Sequence, residues 1–253
     1  MRIIISPAKK MRIDTDSFAP DGLPLFLDSA EILMQTLQSL SAGELQALWK
    51  CNDKIAAQNV ERLRGMELRR SLTPAVLAYE GIQYRYLAPG VLETGQLEYI
   101  REHLRILSGF YGLLRPFDGV VPYRLEMQAP LSVNGGAGLY RFWGGRLAQK
   151  LAEETGCILN LASKEYSKAV EPYLPPEVRF LTCIFGERKD GKIIEKGTLC
   201  KMARGQMVRW MAERQITSPE GISGFAELGY RFSPEDSNKK QYVFLKQQEV
   251  ERD

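Results

Sequence analysis

The stretch 104–127 limits what this chain can fold into more than any other part of it. It reads Leu-Arg-Ile-Leu-Ser-Gly-Phe-Tyr-Gly-Leu-Leu-Arg-Pro-Phe-Asp-Gly-Val-Val-Pro-Tyr-Arg-Leu-Glu-Met. Arg105, Arg115, Arg124, Asp118 and Glu126 stand among apolar residues, and burying a charge without a partner is costly. These groups therefore pair with one another or line a cleft. Gly109 and Gly112 flank a two-residue apex, Phe110-Tyr111, and allow a sharp turn or a close approach to a ligand. Pro116 and Pro122 mark the limits of regular structure.

The chain has 253 residues, enough to bury a sizeable core in one large domain or two small ones. A net charge of +3 decides nothing alone, and only local clustering of positive charge would favour nucleic acid. The four cysteines, Cys51, Cys157, Cys183 and Cys200, form no C-x-x-C pair. Cys157 and Cys183 sit in apolar runs and read as buried free thiols of a reducing cytosol. The apolar start Ile3-Ile4-Ile5 is too short for a signal-peptide core, so a cytoplasmic location is expected. His103 is the only histidine, which excludes a multi-histidine metal site; neither metal nor cofactor is expected.

Ile3-Ile4-Ile5 reads as a buried strand that hands over to a loop with Ser6, Lys9 and Lys10. From spacing alone Lys9 and Lys10 are solvated, although a strand end can also present them at a sheet edge. Helical spacing and capping signals at Asp28, Ser41 and Asn52 predict three helices near residues 28–70. Residues 74–79 read as a strand, 94–104 as a helix capped by Thr94, and 139–154 as one amphipathic helix. Asn134-Gly-Gly-Ala-Gly138 lacks phosphate-loop spacing and reads as a surface loop. A second apolar strand, 157–162, contains Asn160 and ends at Ser163, which can cap a helix carrying Glu165, Tyr166 and Lys168. A strand end delivering such groups to one place is a common way of building a site in α/β proteins. Residues 178–185 and 192–199 read as strands joined by the hairpin turn Asp190-Gly191. A helix opening at Lys201 puts Arg204 one turn away, and one or two closing strands follow. The expectation is a mixed α/β (α+β) fold over 1–253, a single domain with a central mixed sheet, flanking helices and a helical insertion near 28–70.

Six motifs, in order along the chain, carry a resemblance. They are Ile5-Ser-Pro-Ala-Lys-Lys10, the stretch 104–118, Pro122-Tyr-Arg-Leu-Glu-Met127, Tyr140-x-Phe-Trp-Gly144, Asn160-Leu-Ala-Ser-x-Glu-Tyr166 and Lys201-x-Ala-Arg-Gly205. Together they resemble the peroxide-stress protein YaaA family. The resemblance implies a bacterial cytoplasmic protein of the oxidative stress response that binds DNA and lowers free intracellular iron. It also implies an unusual α/β fold with a helix-hairpin-helix element beside a basic cleft. A usual hairpin of that kind reads apolar-Gly-apolar-Gly; the local match here, Ser108-Gly-Phe-Tyr-Gly112, has two residues between its glycines.

Two functions follow as expectations. The first is DNA binding, duplex or structured and largely independent of sequence, by a protein favoured to be a monomer. Lys9, Lys10, Arg105, Arg115, Arg124, Lys168, Lys201 and Arg204 would meet phosphates. Ser108, Gly109 and Gly112 would offer backbone N–H groups, with Phe110 or Tyr111 stacking on unpaired bases. The second is an enzyme acting on a nucleotide, a damaged base or another phosphorylated small molecule. Glu126, Glu165 and Tyr166 would be its catalytic candidates in a polar cleft with Asp118, Tyr123, Asn160 and Ser163. A buried polar network that merely locks the fold, such as Arg124 with Glu126 or Asp118, stands beside both.

Overall fold

Ile3, Ile4 and Ile5 are fully buried, as expected for a parallel strand covered on both faces. They lie in strand β1 (Arg2–Ile5), at the middle of an eight-stranded mixed sheet in a computed structural model that describes residues 1–247. The other strands are β2 (Leu104–Ser108), β3 (Gly112–Leu114), β4 (Cys157–Leu161), β5 (Arg179–Lys189), β6 (Lys192–Ile194), β7 (Tyr230–Phe232) and β8 (Gln241–Lys246). Their order is β7-β8-β5-β4-β1-β2-β3, with β6 paired to β5. The run β8-β5-β4-β1-β2 is parallel. Antiparallel hairpins finish the sheet at β2–β3, β7–β8 and β5–β6.

This order places a topological switch between β1 and β4. After β1 the chain travels to β2 on one side; after β4 it travels to β5 on the other. The carboxyl ends of the two strands therefore part, and open α/β sheets bind ligands in the crevice so formed.

The insertion between β1 and β2 contains the expected three helices, Leu27–Gln38, Ala42–Trp49 and Asp53–Arg64. Ser41 and Glu44 form a reciprocal capping box, and the Asn52 side chain accepts from the N–H of Ile55. Asp28 does not cap the first helix, which starts at Leu27 after Phe26 with no side-chain cap. Three further helices matter for the site: Ile82–Leu87, Lys164–Ser167 and Gly197–Arg214. The long helix Gly197–Arg214 packs on Ile82–Leu87, on Thr94–His103 and on β5. Among the described residues no helix is long and apolar enough to cross a membrane.

Several local expectations change. Residues 75–78 form a buried helical turn between two-residue ladders, because a short apolar run carries no period that separates strand from helix. The helix expected over 139–154 is two, Leu139–Trp143 and Arg146–Glu154, broken at Gly144, whose φ is +50°. Glu93, not Thr94, takes the cap position, its N–H donating to Gln96 at 3.0 Å. The last long helix begins at Gly197, and the strand after Asp190-Gly191 stops at Ile194.

The helix-hairpin-helix placed at Ser108–Gly112 is replaced by a β-hairpin. Ser108 Oγ accepts the N–H groups of Phe110 (3.1 Å) and Tyr111 (2.8 Å), folding the apex inward. Phe110 and Tyr111 are fully buried, so neither can stack on a base. Gly109 is required because a Cβ there would lie 2.5 Å from the carbonyl oxygen of Leu125.

Gly205 is a second close approach. A Cβ at this position would lie 2.0 Å from the carbonyl oxygen of Gln83. Gly205→Ala is expected to cost roughly 1–3 kcal/mol through overpacking, a fall in Tm of about 3–10 °C, read by thermal melting of the variant beside the wild type.

Candidate functional site

The parting of β1 and β4 is held by two serines. Ser6 Oγ accepts the N–H of Ser163 at 2.8 Å and lies 3.3 Å from Ser163 Oγ, joining the chain just beyond both strands. Tyr84 donates its hydroxyl to the carbonyl of Ser6 at 2.9 Å. A cleft of about 500 Å³ opens above this seam, with walls from residues 6–10, 80–84, 123–126, 163–166 and the helix bearing Lys201 and Arg204. Its size is that of a small-molecule or single-nucleotide site.

Five cations, Lys9, Lys10, Arg124, Lys201 and Arg204, face three carboxylates, Glu80, Glu126 and Glu165. Lys9 Nζ lies 2.9 Å from Glu126 Oε1, and Arg124 Nη2 lies 3.8 Å from the same oxygen. Lys10 pairs with Glu80 at 2.8 Å across the short ladder Lys10–Met11 with Tyr79–Glu80. Arg204 Nη2 lies 3.7 Å from Glu195, which stands outside the cleft. A shallower depression of about 330 Å³ shares Lys10 and Glu80 with the cleft and adds Arg85 and Arg12, the latter 3.0 Å from Asp14.

The two inner carboxylates sit in different surroundings. Glu126 has Lys9 and Arg124 beside it. Glu165 has a side chain that accepts from the N–H of Gln128 at 3.3 Å, and its carbonyl accepts from Tyr140 at 2.8 Å. Burial, with the charge of Glu126 adding to it, raises the Glu165 pKa above the ordinary carboxylate value despite that N–H and Lys9. Burial likewise pushes the Tyr123 hydroxyl up to about 12 and that of Tyr166 well above its usual value. The Tyr123 hydroxyl is shared between Tyr79 (2.8 Å) and Ser108 (2.7 Å), which fixes the strand-like segment that carries Arg124 and Glu126.

Four buried side-chain nitrogens among the described residues have no protein acceptor: Gln83 Nε2, Arg124 Nε, Arg204 Nε and Trp49 Nε1. Each such group costs about 1–3 kcal/mol, and native proteins hold few of them. The first three belong to residues of the cleft wall. Trp49 lines an adjoining cavity of about 110 Å³ that shares Lys9 and Glu126 with the cleft.

The structure thus brings together Lys9, Lys10, Tyr123, Arg124, Glu126, Ser163, Glu165, Tyr166, Lys201 and Arg204 from the sequence expectations. It puts others elsewhere. Arg105 is buried beside β1, its guanidinium 2.8 Å from Glu154 and its Nη1 on the carbonyls of Glu102 and Leu104. Desolvation lowers its pKa, an effect Glu154 partly offsets. Arg115 pairs with buried Asp118 at 2.9 Å, closing a turn, and neither lines the cleft. Lys168 is exposed outside it. Asn160 binds Thr182 and the N–H of Ala162, shaping the exit of β4 beneath the site. Ser108, Gly109 and Gly112 are buried in the hairpin. Gln83, Tyr84, Arg12 and Arg85 were not expected; the run 82–87 reads as turn-rich, and nothing in it alone signals a cleft wall.

These features define an α/β protein with a mixed-charge ligand cleft at a topological switch. Residues 1–236 match the family described as "Peroxide stress protein YaaA". A "UPF0246 protein" of Lachnoclostridium phytofermentans is 53% identical over 253 residues, covering 100% of this chain and 99% of the relative. Similar proteins occur in Agathobacter rectalis, 51% identical over 96% of this chain and 98% of the relative, and in Pediococcus pentosaceus, 49% identical over 97% and 98%. The chain belongs to the peroxide stress protein YaaA family.

A carboxyl group whose pKa is raised by folding favours the folded state below its ordinary pKa and opposes it as pH rises through the raised value. Glu165→Gln removes that opposition. The variant is therefore expected to melt above the wild type at pH 7.5 and level with it at pH 4, in parallel thermal scans.

Proposed function

We propose that this peroxide stress protein binds DNA largely without regard to sequence. The observation that carries the reading is the convergence of Lys9, Lys10, Arg124, Lys201 and Arg204, from three separate chain segments, on one cleft at the sheet's switch point. Arg85, and Arg12 with its partner Asp14, carry the cationic lining on outside the cleft, where a phosphate backbone could compete for Arg12. Contacts of this kind hold a nucleic acid in place and read no base.

This reading gives Cys157, Cys183 and Cys200 no part in peroxide chemistry. Burial raises the pKa of Cys157, Cys183 and Cys200, that of Cys200 to about 11, and a protonated thiol is a poor nucleophile toward peroxide. Among the described residues no group of three or more His, Cys, Asp or Glu side chains could hold a metal ion.

A second reading is an enzyme on a nucleotide or another phosphorylated molecule. It is favoured by the unlike surroundings of Glu126 and Glu165, a pattern that separates general base from general acid. Retained DNA binding in Glu126→Gln, with loss of turnover of a nucleotide substrate, would support it.

The DNA reading is tested by a salt titration of binding to duplex, single-stranded and junction DNA. Affinity is expected to fall steeply with salt, and Lys10→Glu with Lys201→Glu to weaken binding about tenfold or more. Arg105→Met is expected to leave binding unchanged per folded molecule but to destabilise the fold by about 1.5–3 kcal/mol, because it removes the nearer of Glu154's two cationic partners and leaves Arg2 at 3.2 Å. Binding indifferent to salt, or abolished by Arg105→Met in a folded sample, would overturn the assignment.

A further inference from the structure

The orphaned nitrogens have one property in common: all are donors. Gln83 is 6% exposed, and the side chains of Arg124 and Arg204 are 12% and 15% exposed, so bulk solvent does not satisfy them freely. All three donors belong to residues that line one cleft, and an acceptor-rich group settling between these side chains would satisfy what the protein leaves open. A phosphate, with several oxygens and negative charge, matches two guanidinium N–H groups and an amide N–H.

A bare phosphate does not explain the rest of the cleft. Its volume of about 500 Å³ far exceeds that of one phosphate group. Pro7, Ala8, Ile82 and Leu125 line it beside the largely buried Tyr84, Tyr123 and Tyr166, an apolar surface that suits a planar base or a sugar face. Glu126 and Glu165 would repel a second anion but accept N–H or O–H groups. A ligand that fits has a phosphate at one end and hydrogen-bond donors on a flat or cyclic body at the other.

We propose that the cleft is a pocket for one nucleotide: a nucleoside monophosphate unit whose phosphate is held by Gln83, Arg124 and Arg204 and whose base or sugar donors meet Glu126 and Glu165. The unit is either a free nucleotide or an unpaired or terminal nucleotide of a DNA strand. The second source rests on the proposed DNA binding. A stacked, paired base cannot enter such a pocket; an extruded one can. Lys9, bonded to Glu126, stands between the cleft and the adjoining cavity that Trp49 lines, so a ligand reaching past Glu126 would meet the fourth orphaned donor.

The test is calorimetric titration of the full chain with 2′-deoxyadenosine 5′-monophosphate, deoxyadenosine and inorganic phosphate. The monophosphate is expected to bind about tenfold or more tightly than either fragment. Arg124→Lys and Arg204→Lys keep the charge but lose the buried Nε donor, and each is expected to weaken binding about fivefold or more. Acetylation of Lys9 in the wild type, followed by mass spectrometry, gives a readout that needs no variant: the monophosphate slows it and deoxyadenosine does not. Equal binding of the three probes, no binding at about 10 mM, or unchanged affinity in folded Lys variants would overturn the proposal. Competition identifies the source. If the monophosphate displaces DNA with an unpaired end but not blunt duplex, the pocket takes a strand nucleotide. If the monophosphate binds and DNA does not, the pocket stands with a free nucleotide and the DNA reading falls. If DNA binds and the monophosphate neither binds nor competes, the pocket falls and the DNA reading stands.

Discussion

Parallel pairing of β1 with both β2 and β4 is the constraint on which the rest depends. A central strand with parallel neighbours on both sides sends its continuation one way while its neighbour's goes the other. The two chains cannot fill the space between them, and that space becomes the cleft. The serine seam between Ser6 and Ser163 ties the exits together at backbone level. Above it, the polar groups are carried by short loops, a one-turn helix and one long helix, each anchored to a buried element. The sheet therefore defines where ligand chemistry can occur, and the loops define what it is.

A second layer of control is the buried hydroxyl chain Tyr79–Tyr123–Ser108. It runs from the hairpin of β2 and β3 to the segment that carries Arg124 and Glu126. In a low-dielectric interior such a chain holds each member in one orientation. Gly109 lets that segment pass directly over the hairpin turn. The stretch 104–127 is thus half foundation and half cleft wall: residues before Val121 support, and Tyr123 to Glu126 line the cleft.

Much of this was legible in the sequence. Two of the three insertion helices announced themselves through Ser41, Glu44 and Asn52, because capping is a local interaction written in a few residues, and the first through its apolar spacing alone. The strands β1 and β4 were visible as short apolar runs, and the polar residues just beyond them pointed to a site. What could not be read was direction. Arg105 and Arg124 look alike in the sequence, each an arginine among apolar neighbours, yet one is bound to Glu154 and the other faces the cleft. Glu154 lies 49 residues from Arg105, and pairing over that distance is set by tertiary packing alone. Phe110-Tyr111 between glycines suited an exposed hairpin as well as a buried one; the hydroxyl of Ser108 decided it. Gln83 escaped notice because its importance comes from the helix laid across it.

That helix crossing has a mechanical consequence. Gly205 rests against the backbone of Gln83, and Arg204 is its immediate neighbour. Two donors from distant parts of the chain are thereby mounted on one rigid joint, with no side chain between the backbones to act as a cushion. A ligand bridging Gln83 and Arg204 has no slack to take up and few rotors to freeze, so little of its binding energy is lost to ordering the protein.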